Sequence, residues 1–142
     1  MASRRLAREH ALQVLFQLDM TGDELNTSLD LHWRGREVDE STRAFAERVV
    51  RGAVGDAVRI DGLITEASEN WRLERMAAVD RNVLRVAIYE LLHEPDTPPP
   101  VVIDEAIEIA KRFGSDESPT FVNGVLDSIA VTVGAKERQR AL

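Results

Sequence analysis

The sequence predicts an all-α fold, a compact single-domain bundle of about seven helices spanning residues 1–142. Three observations carry that prediction. Apolar residues recur at spacings of three and four almost throughout, no segment alternates with the period of two that a half-buried strand requires, and helix breakers stand where helices should stop. A chain of 142 residues can bury one core without metals or disulfides.

Ser3 caps the first helix and Thr21-Gly22 stops it, with Ala7, Ala11, Val14, Leu15 and Leu18 as the buried stripe. A shorter helix runs from about Asp23 to Trp33 and yields to the polar break around Gly35. The run DEST, Asp39 to Thr42, then offers caps. Beyond it Phe45, Val49, Ala53, Ala57, Ile60, Ile64 and Ala67 keep helical spacing. Gly52, Gly55 and Gly62 fall inside that run, each costing about 1 kcal/mol relative to alanine. The unbroken period still predicts one long helix, and small residues on a packed face let a neighbour approach closely.

Trp71 reads as a boundary residue before the next helix. Asp80 can cap that helix, which continues through Val83, Leu84, Ala87, Ile88 and Leu91 until Pro95 and the prolines at 98–100. VVIDEAIEIAKRFG follows, with Asp104 and Glu105 near its start, Lys111 and Arg112 near its end and Gly114 just beyond, all matched to the helix dipole and a glycine cap. Ser118-Pro119 reads as an N-cap with proline at the first helical position, opening a last helix toward Gly134.

Charge is unevenly spread. The net charge is −7, yet Arg4, Arg5 and Arg8 open the chain against Glu9 alone. Residues 90–127 hold nine carboxylates against Lys111 and Arg112, and the closing AKERQRAL is basic again. Such a distribution suits nucleic acid at a local basic patch and a basic protein at the acidic flank, and it also suits ordinary solvated helix surface. The absence of cysteine excludes a disulfide framework and thiol catalysis, and fits a cytoplasmic protein. No run of about 18 apolar residues could span a membrane, and the N-terminus does not read as a signal peptide.

No catalytic constellation is legible in the sequence. There is no glycine-rich phosphate loop. Glu90 and His93 form a single Glu-x-x-His pair, whereas a di-metal bundle needs two such pairs and two further glutamates. His93 therefore reads as a cation at a helix end, and His10 and His32 as surface or boundary histidines. No metal or other cofactor is expected, and no enzymatic activity.

On a helical wheel advancing about 100° per residue, Arg4, Arg5, Arg8 and Phe16 share a flank outside the main buried stripe, with Leu12 among them. Guanidinium forks beside an aromatic ring are what single-stranded RNA binding needs. Leu12 and Phe16 could equally widen the apolar face for another helix, and from this helix alone both readings stand.

Taken together, SRRLAREHALQVLFQLD, VDRNVLRVAIYEL, VVIDEAIEIAKRFG and SPTFVNGVLDSIA make the chain resemble the NusB family of bacterial transcription antitermination factors along nearly its whole length. The resemblance implies an all-helical RNA-binding adaptor that pairs with the small-subunit ribosomal protein NusE. It also implies binding to the boxA element of nascent RNA and support for read-through and processing of ribosomal RNA operon transcripts by an RNA polymerase antitermination complex. At 142 residues the expectation is a stand-alone domain, without the ribosomal RNA methyltransferase domain that follows some NusB-like domains.

Residue by residue, the resemblance assigns RNA contacts to Arg4, Arg5 and Arg8, with Leu6 standing where the family often has a further basic residue. Phe16 matches an aromatic position on the RNA side. SPTFVNG matches a second RNA-contacting region, which assigns Phe121 as a stacking ring with Glu117 and Asn123 nearby. Glu74, Asp80 and Tyr89 are the implied protein-partner residues. The alternative function is a helical homodimeric scaffold that does not bind RNA, built on the Leu12 and Phe16 flank.

Overall fold

The computed structural model describes residues 3–69 and 73–141. Among them lie seven α-helices and one 3-10 turn, with no strand: α1 (Arg4–Thr21), α2 (Leu25–Trp33), α3 (Glu40–Gly55), α4 (Ala57–Ala67), the turn Leu73–Arg75, α5 (Ala78–His93), α6 (Pro99–Phe113) and α7 (Ser118–Ala141). Trp71, expected as a boundary residue, lies outside the described residues. No helix among the described residues is long and apolar enough to cross a membrane.

Local chemistry explains most boundaries. Ser3 is extended and its Oγ accepts the Leu6 N–H, while Gly22 adopts φ +69° and donates its N–H to the Leu18 carbonyl. That left-handed conformation is natural for glycine and strained for other residues. Asp39 caps α3 by accepting from Ser41 and Thr42. Glu24 does the same for α2 through Asn26 and Thr27.

Three expectations about boundaries are corrected. Residues 40–67 form two helices, broken at Asp56, whose N–H reaches the Gly52 and Val54 carbonyls. Gly55 and Asp56 are both weak helix formers, and His93 Nε2 meets Asp56 Oδ2 at 2.9 Å, tying the break to the end of α5. The apolar period survives because Val49 and Val50 of α3 and Ile60 and Ile64 of α4 enter the same core. Asp80 does not cap α5: the capping position is Ala77, and Asp80 lies in the first turn, where a carboxylate faces the positive end of the dipole. Ser118 is helical rather than capping, with its Oγ accepting the Ser115 N–H at 2.9 Å to close the preceding turn.

Helix α5 is the centre of the bundle, packed against α1, α3, α4, α6 and α7. Val83, Leu84, Val86, Ala87 and Ile88 join Ala7, Ala11, Val14 and Leu15 of α1 and Val102, Ala106, Ile109 and Leu126 of α6 and α7 in one core. Because α5 is enclosed on nearly every side, its polar residues Arg81, Asn82 and Glu90 are buried too and must find partners. Arg81 donates to Asp19 at 2.7 Å and to the Leu73 carbonyl at 2.9 Å, holding the 3-10 turn against the bundle. Arg85 bridges Asp61 and Asp19.

The expected close approach at a glycine occurs at Gly52, where a Cβ would collide with the Tyr89 ring. Gly52→Ala should therefore destabilise the fold by about 1–3 kcal/mol, through overpacking that outweighs its better helix propensity. Urea denaturation of the two proteins checks this, and an equal or raised midpoint would contradict the packing described.

Candidate nucleic-acid interface

The arginine-rich end of α1 is organised by carboxylates from other helices. Arg8 turns inward: Nε donates to Glu90 Oε2 at 2.7 Å and Nη2 to Oε1 at 2.8 Å, and the two side chains are only 5 % and 1 % exposed. The expectation that Arg8 stands outside the core is thus corrected. A guanidinium buried among apolar neighbours persists because it is paired fork to fork. Arg5 stays at the surface and binds Glu105 of α6 in the same two-pronged way, at 2.7 and 3.0 Å. This pairing raises the guanidinium pKa and lowers that of the Glu105 carboxyl, chiefly through the hydrogen bonds they share. Glu105 is also 4.0 Å from Arg8 Nη1. Arg4 is exposed, its guanidinium carbon 3.8 Å from the Phe45 ring centroid. Leu6 is exposed beside them.

Leu12 is buried, whereas Phe16 remains 36 % exposed. Phe16 lines an apolar cleft of about 400 Å³ with Leu12, Gln13, Met20, Val79 and Phe113. The flank is therefore mixed: Arg8 and Leu12 belong to the interior, while Arg4, Arg5 and Phe16 face outward.

A second cleft, about 230 Å³, opens on the other side of the start of α5. Arg75, Ala77, Asp80, Ser115, Glu117 and Phe121 line it. Asp80 is 9 % exposed, and its Oδ1 has no hydrogen-bond partner among the described residues. Helix α5 thus presents Val79 to one cleft and Asp80 to the other. Asn123 is exposed on α7 and does not line the second cleft.

The residues assigned to a protein partner do not form one patch. Glu74 is exposed on the 3-10 turn, while Asp80 shares its cleft with Glu117 and Phe121. Tyr89 is buried, its hydroxyl donating to Glu94 Oε2 at 2.8 Å. Burial, and to a lesser degree Glu94, push its phenol up to about 12.

Sequence reasoning missed Phe113 and Arg112. Both sit at the end of α6, where the run AKRFG reads first as dipole matching and a cap. An aromatic residue at the last helical position was the available signal. It also missed the histidine pair: His10 Nδ1 and His32 Nε2 are 2.9 Å apart, buried, and both rings pack with Trp33. Boundary histidines they are not. Among the described residues, no group of three or more His, Asp or Glu side chains could hold a metal ion. Glu90 is engaged by Arg8, and His93 by Asp56.

The family model described as the NusB family matches residues 5–131. The chain belongs to the NusB family. The transcription antitermination protein NusB of Sorangium cellulosum is 48 % identical over 140 residues, covering 99 % of this chain and all of that protein. Its counterpart in Desulfitobacterium hafniense strain DCB-2 is 49 % identical over 139 residues, covering 96 % of this chain and 94 % of that one. Among solved structures, NusB of T. maritima superposes with a TM-score of 0.84 at 43 % identity, covering 92 % of each chain. A chain from a crystal structure of antitermination factors NusB and NusE in complex with dsRNA gives 0.83 at 25 % identity, covering 91 % of this chain and 96 % of that one.

Arg8→Ala should cost about 3–5 kcal/mol of stability, because it strands the Glu90 carboxylate in the core. Chemical denaturation checks it, and a variant as stable as the parent would show that the pair is not structural. For the histidines, burial holds both below the ordinary value, His32 at about 4. The unfolded chain then binds more protons, so stability is full above about pH 6.5 and falls toward pH 4, with His32 contributing about 2 kcal/mol of loss between pH 7 and 5. His32→Gln should flatten that slope in denaturation curves taken across the same window.

Proposed function

We propose that this protein is a transcription antitermination factor, a non-catalytic cytoplasmic adaptor that binds boxA-type single-stranded RNA together with ribosomal protein NusE. In this reading its one domain joins an RNA polymerase antitermination complex and supports read-through and processing of ribosomal RNA operon transcripts. The single observation that carries the RNA-binding part is that α1 bears the exposed Arg4 and Arg5 in its first turn and, farther along, one wall of the cleft holding Phe16 and Phe113. One helix thus carries cations for phosphates and a ring on which an unstacked base can lie. Membership of the NusB family supports the role.

Within this reading the arginines divide their work. Arg4 and Arg5 meet phosphates, and Arg8 fixes α1 from inside. The second cleft takes another base against Phe121, with the Glu117 and Asp80 carboxylates accepting hydrogen bonds from its amino edge, while Asn123 contacts the strand from the outer side of α7. Glu74, Glu94 with the buried Tyr89 behind it, and the carboxylates of residues 90–127 other than Glu90, Glu105 and Glu117 suit a basic ribosomal protein. The solved relative named above carries double-stranded RNA. An open aromatic cleft favours a single strand, because paired bases cannot lie on the ring.

The test is fluorescence anisotropy with boxA-type RNA, single-stranded and duplex, with and without NusE. Phe16→Ala should weaken single-strand binding by about 1–3 kcal/mol. Arg5→Ala should weaken it too and flatten the dependence on salt, with the fold retained because that pair is exposed. Unchanged affinity in both variants, with a dimer seen by light scattering, would favour the homodimeric scaffold.

A further inference from the structure

We propose that Arg112 is a further RNA-binding residue of this face, a phosphate-contacting cation supplied by α6 and set between Arg5 and the aromatic cleft. The proposal rests on the RNA-binding reading above and names a residue that the arginine-rich motif does not contain.

The placement is geometric. Arg112 Nη1 donates to both Glu9 oxygens, at 2.7 and 2.9 Å, which fixes the guanidinium over Glu9. Glu9 stands four residues after Arg5, and Gln13, which lines the Phe16 cleft, four residues after Glu9. Residues at that spacing lie above one another on a helix, each step about 6 Å along the axis. Arg5, the Glu9–Arg112 pair and the cleft therefore form one track.

Arg112 is also free to act. It is 66 % exposed, in contrast to its partner Glu9 at 7 %. Since both bonds to Glu9 leave from one nitrogen, Nε and Nη2 keep donors for an incoming oxygen. The guanidinium carbon lies 5.1 Å from the Phe113 ring centroid, and Phe113 is itself a wall of the cleft. A base on that ring would bring its backbone past Arg112. Structural pairing alone would require only that Glu9 be neutralised; it would not place an exposed fork on the edge of an aromatic cleft.

The experiment is a salt series, from about 50 to 200 mM, of anisotropy titrations with a boxA-type single-stranded RNA oligomer in the presence of NusE. Arg112→Gln should bind about fivefold more weakly near 0.1 M salt, and the slope of log affinity against log salt should shrink by about 0.7, the share of one phosphate on a single strand. Glu9→Gln, which removes a nearby negative charge but also the hold on Arg112, serves as the neutral-partner reference. If Arg112→Gln fails to fold with Glu9 uncompensated, the double variant Glu9→Gln/Arg112→Gln keeps a neutral pair and is compared with Glu9→Gln. Affinity and slope unchanged on loss of Arg112 overturn its assignment while leaving the RNA face intact. A parent protein that binds no RNA overturns the face itself, and the proposal with it.

Discussion

The buried pair between Arg8 and Glu90 is the constraint on which this architecture turns. It joins the first turns of α1 to the far end of α5, across 82 positions of sequence. Helix α5 is nearly surrounded, so a carboxylate on it must be paired or carry a large penalty. Arg8 supplies that pairing and fixes how α1 lies on the bundle. What α1 displays outward, Arg4, Arg5, Phe16 and Met20 among it, follows from that orientation. The contacts of Arg81 and Arg85 with Asp19 repeat the arrangement at the other end of α1. The helix is thereby clamped to α5 by charge at both ends and by apolar packing between.

Most of the fold was legible in the sequence because local chemistry decides it. Ser3 and Gly22 bound α1 through hydrogen bonds within their own turn, and the apolar period names the buried stripe. The break at Asp56 was not legible, since periodicity reports which residues face a core and stays silent on whether one helix or two present them. Arg8 shows the same limit more sharply. Its place beside Arg4 and Arg5 marks it as basic surface, and only the distant Glu90 makes it interior. Likewise His10 and His32 look solitary along the chain, and meet only because α2 folds back onto α1.

The candidate site divides along the same line. The cations and Phe16 could be read from one helix, whereas the clefts could not, because each is assembled from segments far apart in the chain. Phe113 closes the first from the end of α6, and Asp80 faces Phe121 across the second. Asp80 illustrates how position changes meaning. As a residue of a helix start it reads as a cap, yet the structure buries it on a cleft wall with one oxygen unpartnered among the described residues.

Pairing arginines with carboxylates looks at first like a poor way to attract a polyanion, and in a protein of net charge −7 doubly so. Screening resolves the second point: exposed carboxylates more than about 8–10 Å from a bound strand are largely invisible to it. The first is resolved by exposure. Glu90 is sealed inside with Arg8, so its charge is compensated at source. Glu105 and Glu9, by contrast, hold Arg5 and Arg112 from behind while those guanidiniums remain open to solvent. A long arginine free in water loses rotamer entropy when it meets a phosphate. One already held by a carboxylate has lost much of it on folding. The acidic partners therefore lower the net field of this face and in return deliver its cations pre-oriented along the aromatic cleft.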